Sequence, residues 1–448
     1  MKRLMSFYGD DFTGSTDAME SLASHGIKTV LFTRLPNESE FAQFSDYAAV
    51  GLAGTSRSQS PDWMDEQLPP VFQWLRDLDA RICHYKICST FDSSPTAGNI
   101  GRATEIAARI FGQRLVPLVV GVPQLKRYTF AGHLFAAFQG QVYRIDRHPV
   151  MSRHPVTPMD ESDLRLHLSR QTALPVNLVA DDWPQTGIVL LDVHDLETQQ
   201  RTGKLLLDLP AHAAPFVVGS SGVGYAVMKA LAAAGEISGK ASFPQLEPVS
   251  QTIVVSGSVS PTTERQIHTA LGGGFDAVPV SVIDLARRES GAIQGATSRA
   301  LRCLSDGRSP LIYSALGSAT DQSQELSAIP GGRRNIGESL GRILRSVIET
   351  TGLRRAIIAG GDSSSHALGQ LDIFAMTTRY PLSATPGSPL CTAYSGDPRL
   401  NGLDIAMKGG QLGGDRYFIE LRDGSVQAAN PLSGDAAAIH AIATTTTG

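Results

Sequence analysis

Residues 3–33 read RLMSFYGDDFTGSTDAMESLASHGIKTVLFT and indicate the fold class of the protein. Residues 3–8 are mostly apolar and predict a strand, and residues 28–33 predict a second one. Between them, residues 14–25 carry apolar side chains at helical spacing. A strand, a helix and a strand in so short a stretch predict a parallel βαβ unit.

The same alternation continues along most of the chain, with one interruption. Residues 235–251 are rich in Gly, Pro and Ser and have no clear period, so they predict an interdomain linker. Further strands are predicted over 47–53, 81–87, 116–121, 175–179, 187–192 and 214–219, and after the linker over 252–256, 276–281, 310–314, 355–359 and 403–407. Helices are predicted over 62–78, 99–111, 160–170, 195–207, 222–234, 261–271 and 335–350.

These elements predict an α/β protein with two domains. A chain of 448 residues is too long for one ordinary core, which favours the same division. Each domain is expected to be a largely parallel sheet flanked by helices, with an interdomain cleft. We expect the first domain over 1–240, the second over 241–430, and a C-terminal tail over 431–448.

Composition excludes several classes of protein. Apolar residues make up 42% and charged residues 18%, which is typical of a globular protein, and the net charge of −4 is unlike the basic footprint of a nucleic-acid binder. No apolar run is long enough for a membrane span, and the N-terminus reaches acidic residues too early for a signal peptide. We therefore expect a cytoplasmic protein without nucleic-acid or membrane partners.

The four cysteines do not predict a metal site. Cys83 and Cys88 have C-x4-C spacing, but no second pair or nearby set of histidines accompanies them. Structural zinc is therefore not expected, and reduced thiols in the interior are the simpler interpretation.

Polar residues follow three strands of the first domain. Asp10 and Asp11 stand between the first strand and helix, where ligands bind in open α/β sheets, although an aspartate there also suits helix capping. Arg57 follows another strand and its guanidinium suits a planar carboxylate, although a solvated loop arginine fits as well. Lys86 closes a third strand and brings a further positive charge, with Ser89 as a hydroxyl donor.

Three glycine-rich turns follow strands of the second domain: residues 255–258, 359–364 and 408–414. Glycines let the backbone approach phosphates, and N–H groups at a helix start bind them. Three such turns predict a nucleotide triphosphate site, which is not of the Walker A type because Lys240 is followed by alanine and the upstream glycine is misplaced. A different glycine run, Gly219–Gly224, has G-x-x-G-x-G spacing and suits a tight strand-to-helix turn better than a dinucleotide site.

Taken together, these motifs resemble the four-carbon acid sugar kinase family, over nearly the whole chain. Members of this family phosphorylate D-threonate, D-erythronate, 3-oxo-tetronate and related acids. The resemblance rests on D-D-F-T-G at 10–14 with Asp17, S-R-S at 56–58, K-x-x-S-T at 86–90, G-N-I-G at 98–101, S-G-S at 256–258, G-G-D-S at 360–363, P-G-S-P at 386–389 and K-G-G-Q at 408–411.

The resemblance implies an N-terminal substrate domain, a C-terminal ATP domain, and the use of ATP with Mg²⁺. It leaves a homodimer open, and it identifies no protein ligand for the metal. By likeness, the acid would be contacted by Asp11, Arg57, Lys86 and Ser89. ATP would be held by Ser258, Gly360, Gly361, Asp362, Ser363 and Gly410.

One departure from the family pattern bears on the substrate. The family usually reads K-x-D-S-T, followed closely by an arginine, whereas Cys88 replaces the aspartate here and residues 91–97 form a longer stretch without the arginine. The candidates are 3-oxo-tetronate, threonate, erythronate or a branched or oxidised acid such as 3-oxo-isoapionate. The alternatives are an NAD(P)-dependent sugar-acid dehydrogenase and a non-enzymatic sugar-acid binding protein.

Phosphoryl transfer depends on positioning and on neutralising charge. We expect Arg57 and Lys86 to anchor the carboxylate of the acid and Asp11 to orient its hydroxyl groups. Asp362 would take the hydroxyl proton or help to place the metal, with Asp11 as the other candidate for the base. Hinge motion is expected around 240–251, so that the cleft can exclude water.

Overall fold

The computed structural model describes residues 3–179, 183–239, 241–317, 322, 325–326 and 328–426. At Asp362 and Ser363 the backbone is described and the side chains are not. The chain forms two compact units that divide between Ser242 and Phe243. The predicted tail over 431–448 lies outside the described residues.

The first unit contains a sheet of eight parallel strands within the described residues. Their order across the sheet is β2-β3-β1-β4-β11-β5-β10-β9. The strands are β1 Met5–Gly9, β2 Thr29–Phe32, β3 Ala49–Ala53, β4 Ile82–Lys86, β5 Leu115–Val119, β9 Val176–Leu178, β10 Gly187–Leu190 and β11 Phe216–Gly219.

Helices cover this sheet, which explains why strands such as β1, β4 and β5 are buried along their whole length. Polar side chains cap the N-termini of two of the helices. The carboxylate of Asp11 accepts from the Gly14 N–H at the start of α1, and Asn99 accepts from the Arg102 N–H at the start of α4. The helices are α1 Phe12–Ser24, α2 Glu38–Ala42, α3 Pro61–Asp77, α4 Ile100–Phe111, α5 Leu164–Ser169, α6 Leu196–Leu207 and α7 Gly222–Ala233.

A small antiparallel sheet, which the sequence did not predict, lies between β5 and β9 along the chain. It consists of β6 Arg127–Phe130, β7 His133–Phe138 and β8 Gln141–Arg144. Its two tight turns are Ala131-Gly132 and Gln139-Gly140, in which all four residues have positive φ. Positive φ at both central residues is the type I′ geometry that suits the twist of a hairpin.

The second unit has a sheet of seven strands in the part that the structure describes, ordered β13-β14-β12-β15-β18-β17-β16. The first five are parallel, and β17 is antiparallel to both of its neighbours. The strands are β12 Ile253–Ser256, β13 Phe275–Pro279, β14 Ser309–Tyr313, β15 Arg355–Ala359, β16 Ile373–Tyr380, β17 Leu390–Ser395 and β18 Asp404–Lys408.

The longest helix of this unit buries the stripe that the sequence predicted. Its side chains at Ile336, Leu340, Ile343, Leu344, Val347 and Ile348 are all buried. The helices are α8 Pro261–Leu271, α9 Val282–Ala286, α10 Ser290–Ser305, α11 Gly332–Thr351, α12 Gly361–Leu368 and α13 Tyr417–Asp423.

The predicted fold class, two α/β domains with largely parallel sheets flanked by helices, is confirmed. The exact domain limits and the roles assigned to the two domains stay predictions. Across the described ranges, no helix is long and apolar enough to cross a membrane.

Candidate functional site

The polar residues predicted in the first domain meet at one edge of its sheet. Strand β1 pairs with both β3 and β4, so that Gly9 lies between Ala53 and Lys86 at their carboxyl ends. Asp10 and Asp11 continue from β1, and Arg57 lies in the short turn after β3. This edge is where open α/β sheets bind ligands.

Arg57 joins the two aspartates. Its Nε and Nη2 donate to the two carboxylate oxygens of Asp10, at 3.1 and 2.7 Å, and its Nη1 donates to Asp11 Oδ2 at 2.8 Å. The backbone supports the same arrangement, since the Arg57 N–H donates to Asp10 O at 2.9 Å. Arg57 is therefore not a solvated loop arginine, and each of its three guanidinium nitrogens already donates to a carboxylate.

The two aspartates occupy different environments. The Asp10 side chain is 5% exposed, whereas that of Asp11 is 28% exposed. Burial raises the pKa of Asp10 to about 6, against the opposing effect of the Arg57 guanidinium, and the charge of Asp11 adds to the rise. Asp11 also caps α1, because its Oδ1 accepts from the Gly14 N–H at 2.7 Å. Asp11 can therefore cap α1 and at the same time belong to the polar cluster.

Lys86 completes this cluster from the end of β4. Its side chain is 4% exposed, and its Nζ lies 3.5 Å from Asp17 Oδ2 and donates to Ile87 O at 3.1 Å. A methyl group placed on Gly14 would lie 2.4 Å from Asp11 Oδ1, 3.1 Å from Lys86 Nζ and 3.6 Å from Arg57 Nη2. Gly14 thus leaves the space into which Asp11, Lys86 and Arg57 all project.

The segment that departs from the family pattern adds a buried carboxylate nearby. Cys88 Sγ lies 2.9 Å from Thr90 Oγ1, which in turn donates to the carboxylate of Asp92. Burial raises the pKa of the Cys88 thiol, and the charge of Asp92 adds to the rise. Ser89 lies half-buried in the turn between Cys88 and Thr90.

The glycine-rich turns of the second unit also lie side by side. Strand β15 pairs with both β12 and β18, which places Ala359 between Ser256 and Lys408 at the carboxyl ends of the three strands. The turns touch one another, because a methyl group on Gly410 would lie 2.7 Å from Ser258 Oγ. The three turns therefore form one site.

Lys408 is the charged residue of this site that the sequence prediction left out. Its side chain is 1% exposed, and Nζ donates to Thr263 Oγ1 at 3.2 Å and to Gly409 O at 3.1 Å. In the described part of the chain it has no carboxylate partner. Burial lowers its pKa to about 8. A buried cation without an anion suits a phosphate group.

The turn after β15 has a backbone conformation that favours glycine. Gly360 has φ +118°, a conformation that L residues rarely adopt, and it is the N-cap of α12. A methyl group on Gly361 would meet no atom within 4 Å, so the space in front of this residue is open. The backbone of Asp362 and Ser363 follows in the first turn of α12, while their side chains lie outside the described part.

Packing explains two of the glycines at 219–224. A methyl group on Gly219 would lie 2.1 Å from Val119 O, and one on Gly222 would lie 2.2 Å from Gly121 O. The Gly222 N–H already donates to Ser220 Oγ at 2.9 Å. A dinucleotide pyrophosphate would need that space and that N–H group, so this turn does not support the dehydrogenase alternative.

The structure therefore brings the predicted residues together in two groups, one in each unit. Asp11, Arg57 and Lys86 form the first group with Ser89 close in sequence, and Ser258, Gly360, Gly361 and Gly410 form the second. The sequence analysis assigned no site role to Lys408, and it placed Asp10 beside Asp11 where a ligand is expected without choosing Asp10 as the contact. The signal for Lys408 was its place at the end of a strand directly before two glycines.

A metal ion would have few protein ligands here. Among the side chains that the structure describes, no group of three or more His, Cys, Asp or Glu residues could hold one. Mg²⁺ is commonly bound by nucleotide phosphates, water and one or two carboxylates. In the second unit, Lys408 and the backbone N–H groups of the glycine turns could bind phosphate groups, and these would in turn hold the metal.

Two family models match the chain. A sugar-binding N-terminal domain matches residues 5–227, and a nucleotide-binding C-terminal domain matches residues 253–418. The first range contains the cluster around Arg57, and the second contains the turns around Lys408.

Two curated relatives cover nearly the whole chain. A 3-oxo-isoapionate kinase from Paraburkholderia graminis is 40% identical over 451 residues, which cover 95% of each chain. A 3-oxo-tetronate kinase from Pseudomonas fluorescens is 29% identical over 439 residues, which cover 93% of this chain and 95% of the relative.

Solved structures share the fold. Haemophilus influenzae protein HI1011 superposes with a TM-score of 0.70 and 22% identity, covering 93% of this chain and 99% of that one. A Salmonella typhimurium protein described as a putative tRNA synthase gives a TM-score of 0.76 and 20% identity, covering 95% and 100%. At this level of identity the likeness concerns the fold alone.

Proposed function

The chain belongs to the four-carbon acid sugar kinase family, and on that basis we propose that it transfers the γ-phosphoryl group of ATP to a hydroxyl group of a 3-oxo or branched sugar acid with four or five carbons. It is a sugar-acid kinase. The observation that carries the nucleotide part of the proposal is Lys408, a buried cation without a carboxylate partner among the described residues, placed between glycine turns.

The substrate class is proposed from the relatives and from the departing segment. The relative at 40% identity is a 3-oxo-isoapionate kinase, whereas the 3-oxo-tetronate kinase is 29% identical. Cys88, Thr90 and Asp92 form a chain of contacts near Arg57, so a thiol and a carboxylate would lie close to the proposed acid site. We therefore rank 3-oxo-isoapionate first, ahead of 3-oxo-tetronate, threonate and erythronate.

In the first unit, Asp11, Arg57, Lys86 and Ser89 would contact the acid. Arg57 fixes the carboxylates of Asp10 and Asp11, so that these can accept hydrogen bonds from hydroxyl groups in a set direction. Two of the five N–H bonds of Arg57 remain for substrate oxygens. Lys86 adds a positive charge next to Gly14, with its Nζ 3.1 Å from a methyl group placed on that residue.

In the second unit, Ser258, Gly360, Gly361, Asp362, Ser363 and Gly410 would hold ATP, and Lys408 joins them. Mg²⁺, when bound, would neutralise charge on the phosphates. The substrate oxygen bonds to the γ-phosphorus, the bond from that phosphorus to the β–γ bridging oxygen breaks, and ADP leaves. We assign the hydroxyl proton to Asp362, because its backbone lies in the first turn of α12, at the proposed phosphate site, whereas Asp11 is engaged with Arg57 and with the start of α1.

Transfer requires the acid and the nucleotide to meet, so the cleft predicted from the sequence remains part of the proposal. A cytoplasmic location, where ATP is available, is also proposed. A homodimer stays a prediction.

The proposal is tested by ADP release with ATP and Mg²⁺ across a panel of four- and five-carbon acids. We expect a 3-oxo acid to give the highest kcat/KM, with no ADP release when the acid is omitted. NAD(P)H formation from any of the acids, without ADP release, would instead favour the dehydrogenase alternative.

Replacing Arg57 by alanine should weaken acid binding and destabilise the fold. Without the guanidinium, Asp10 is left buried and unpaired, which costs about 3–5 kcal/mol. The KM for the acid should rise about 10- to 100-fold while the KM for ATP stays close to the wild-type value. Steady-state kinetics and urea unfolding measure both effects.

Arg34→Ala is the matched control for this variant. Arg34 also binds a carboxylate with two hydrogen bonds, to Glu40 at 2.8 and 2.6 Å, but its side chain is 50% exposed. Its loss should leave both KM values unchanged and cost less than about 1 kcal/mol. An unchanged KM for the acid in Arg57→Ala would remove Arg57 from the substrate site.

A valine at Gly361 should abolish measurable ATP binding in a folded protein. The side chain would enter the open space in front of the turn, where phosphate is proposed to bind, and φ at this residue is not in the positive range. Nucleotide titration calorimetry and thermal melting measure the two properties.

Gly291→Val is the control for the Gly361 variant. Gly291 also lies in the first turn of a helix, α10, with no atom within 4 Å of an added methyl group. Its valine variant should bind ATP normally. Normal ATP affinity in Gly361→Val would mean that the turn after β15 is only structural.

A further inference from the structure

Arg57 and Lys86, the two cations of the proposed acid site, both have carboxylate partners. Arg57 binds Asp10 and Asp11, and the Nζ of Lys86 lies 3.5 Å from Asp17. These three carboxylates outnumber the two cations, so this group alone would repel an anionic substrate. The carboxylate of a sugar acid needs a further positive charge at this edge of the sheet.

Arg127 provides such a charge at the same edge. Val119 at the end of β5 pairs with Gly219, which pairs with Lys86, so the carboxyl ends of the three strands form one line. Three residues beyond β5, Val122 pairs with Arg127 through two backbone hydrogen bonds. The thiol of Cys88 interacts electrostatically with both Arg57 and Arg127, so it lies near both guanidinium groups.

Arg127 has no carboxylate partner in the described part of the chain. Among the described residues, the side-chain hydrogen bonds of Arg127 are all made by Nη1 and all go to backbone carbonyls: Leu125 O at 2.9 Å, Lys126 O at 3.2 Å and Ala137 O at 3.5 Å. Its Nε is shielded from solvent without an acceptor. The titratable groups that face it are Cys88, Tyr128 and His148, and none of these is a carboxylate.

The free side of this guanidinium is the one that other arginines of the chain use for carboxylates. Nε and Nη2 together grip a carboxylate in Arg57, Arg102, Arg144, Arg165 and Arg399. In Arg127 the same pair of donors has no partner among the described residues. A buried donor without an acceptor is destabilising, and a bound anion would relieve that cost.

We propose that Arg127 binds the carboxylate of the sugar acid and thereby makes the enzyme selective for acids over neutral sugars. This role rests on the proposed function of the first unit as the acid site. Arg57 then keeps the aspartates in place for the hydroxyl groups, because its own Nε and Nη2 are occupied by Asp10. Two bonds from a planar fork to a carboxylate give geometric selectivity that a lysine does not provide.

The test compares a sugar acid with its amide in the wild-type protein and in Arg127→Gln. The preference of kcat/KM for the acid should fall by about 10- to 100-fold in the variant, since a charge-assisted contact is lost. The kcat/KM for the amide should change by less than about threefold. Arg127→Lys, which keeps the charge and loses the fork, should give an intermediate preference and covers the case in which the glutamine variant does not fold.

Arg144→Gln is the matched control. Arg144 lies in the same small sheet, on β8, and its guanidinium is already paired with Asp146. Its replacement should leave the acid preference at the wild-type value. A folded Arg127→Gln or Arg127→Lys protein with the full wild-type preference would overturn the proposal.

A second experiment distinguishes the proposed role of Arg127 from the kinase activity. Thermal melting of the wild-type protein with the acid, without nucleotide, should show a larger stabilisation than with the amide, and Arg127→Gln should lose the difference. Failure of the proposed function would appear as no ADP release by the wild-type protein with any acid. Equal melting shifts for acid and amide in the wild-type protein would overturn the role of Arg127 itself.

Discussion

Replacing Lys408 by methionine should weaken ATP binding at pH 7 by about 100-fold and at the same time stabilise the folded protein. Lys408 is 1% exposed and has no carboxylate partner among the described residues, so its charge is costly in the absence of nucleotide. Methionine has similar length and no charge, and it tolerates the same apolar surroundings. The affinity loss is that of a charge-assisted contact with phosphate.

The dependence of folding stability on pH follows from the lowered pKa of Lys408, which is about 8 in the folded protein against an ordinary value of 10.5. Between these values the unfolded chain binds more protons than the folded one, so this residue makes stability rise with pH from about 8 to 10.5. Below pH 8 the destabilisation caused by burying the charged lysine is fully present. The methionine variant should lack this contribution and should be more stable at pH 7 by about 1–3 kcal/mol.

Nucleotide binding should show the opposite dependence on pH. Phosphate favours the protonated lysine, so the affinity for ATP should fall as the pH rises above about 8, and binding there should take up a proton. Titration calorimetry in buffers of different ionisation enthalpy measures this uptake. It should be absent in Lys408→Met.

Lys229→Met is the control. Lys229 lies in the first unit, its Nζ donates to Leu196 O at 2.8 Å, and burial also lowers its pKa. Its replacement should leave ATP affinity and the proton uptake unchanged. A Lys408→Met protein that binds ATP as tightly as the wild type would remove Lys408 from the nucleotide site.

Replacing Asp362 by asparagine should lower turnover by about 10²-fold or more, with a melting temperature close to that of the wild type. As the base, Asp362 would lose the group that accepts the hydroxyl proton, and effects of this size are typical of general acid–base catalysis. The N-cap of α12 is Gly360, so Asp362 lies within the first turn and is not the cap. Its charge there is worth only about 0.3–1 kcal/mol of stability.

Two comparisons make the Asp362 result specific. Asp284→Asn changes an aspartate in the first turn of α9, a helix of the same unit, and should leave turnover unchanged. Asp11→Asn should raise the KM for the acid more than it lowers kcat, because Asp11 is engaged with Arg57 and with the start of α1. Near-wild-type turnover in Asp362→Asn would move the role of the base to Asp11.

Much of the regular structure could be predicted from local sequence. Strand 355–359 and helix 261–271 have the predicted limits, and the helix predicted over 335–350 extends over Gly332–Thr351. The two helices have strong apolar periods, and the strand contains four consecutive apolar residues. The helix predicted over 160–170 is shorter, Leu164–Ser169, because Asp163 caps it by accepting from the Arg165 N–H.

The antiparallel strands were missed for a physical reason. The turns Ala131-Gly132 and Gln139-Gly140 contain none of the Asn-Gly or Asp-Gly pairs that signal a hairpin, yet all four residues adopt positive φ. Strands β16 and β17 are also antiparallel and were not predicted. Strand pairing over such segments depends on partners elsewhere in the chain, which a local pattern does not contain.

The two α/β domains, the strand ends that carry Asp11, Arg57 and Lys86, and the three glycine turns could all be predicted before folding was considered, because periodicity and turn residues are local properties. The partners of each charge could not be predicted in this way. In the folded protein, the Nε and Nη2 of Arg57 donate hydrogen bonds to Asp10. Lys408 and Arg127 have no carboxylate partner among the described residues. Burial and pairing depend on which residues distant in sequence meet in space, and these two quantities set the energy of a charge in a protein.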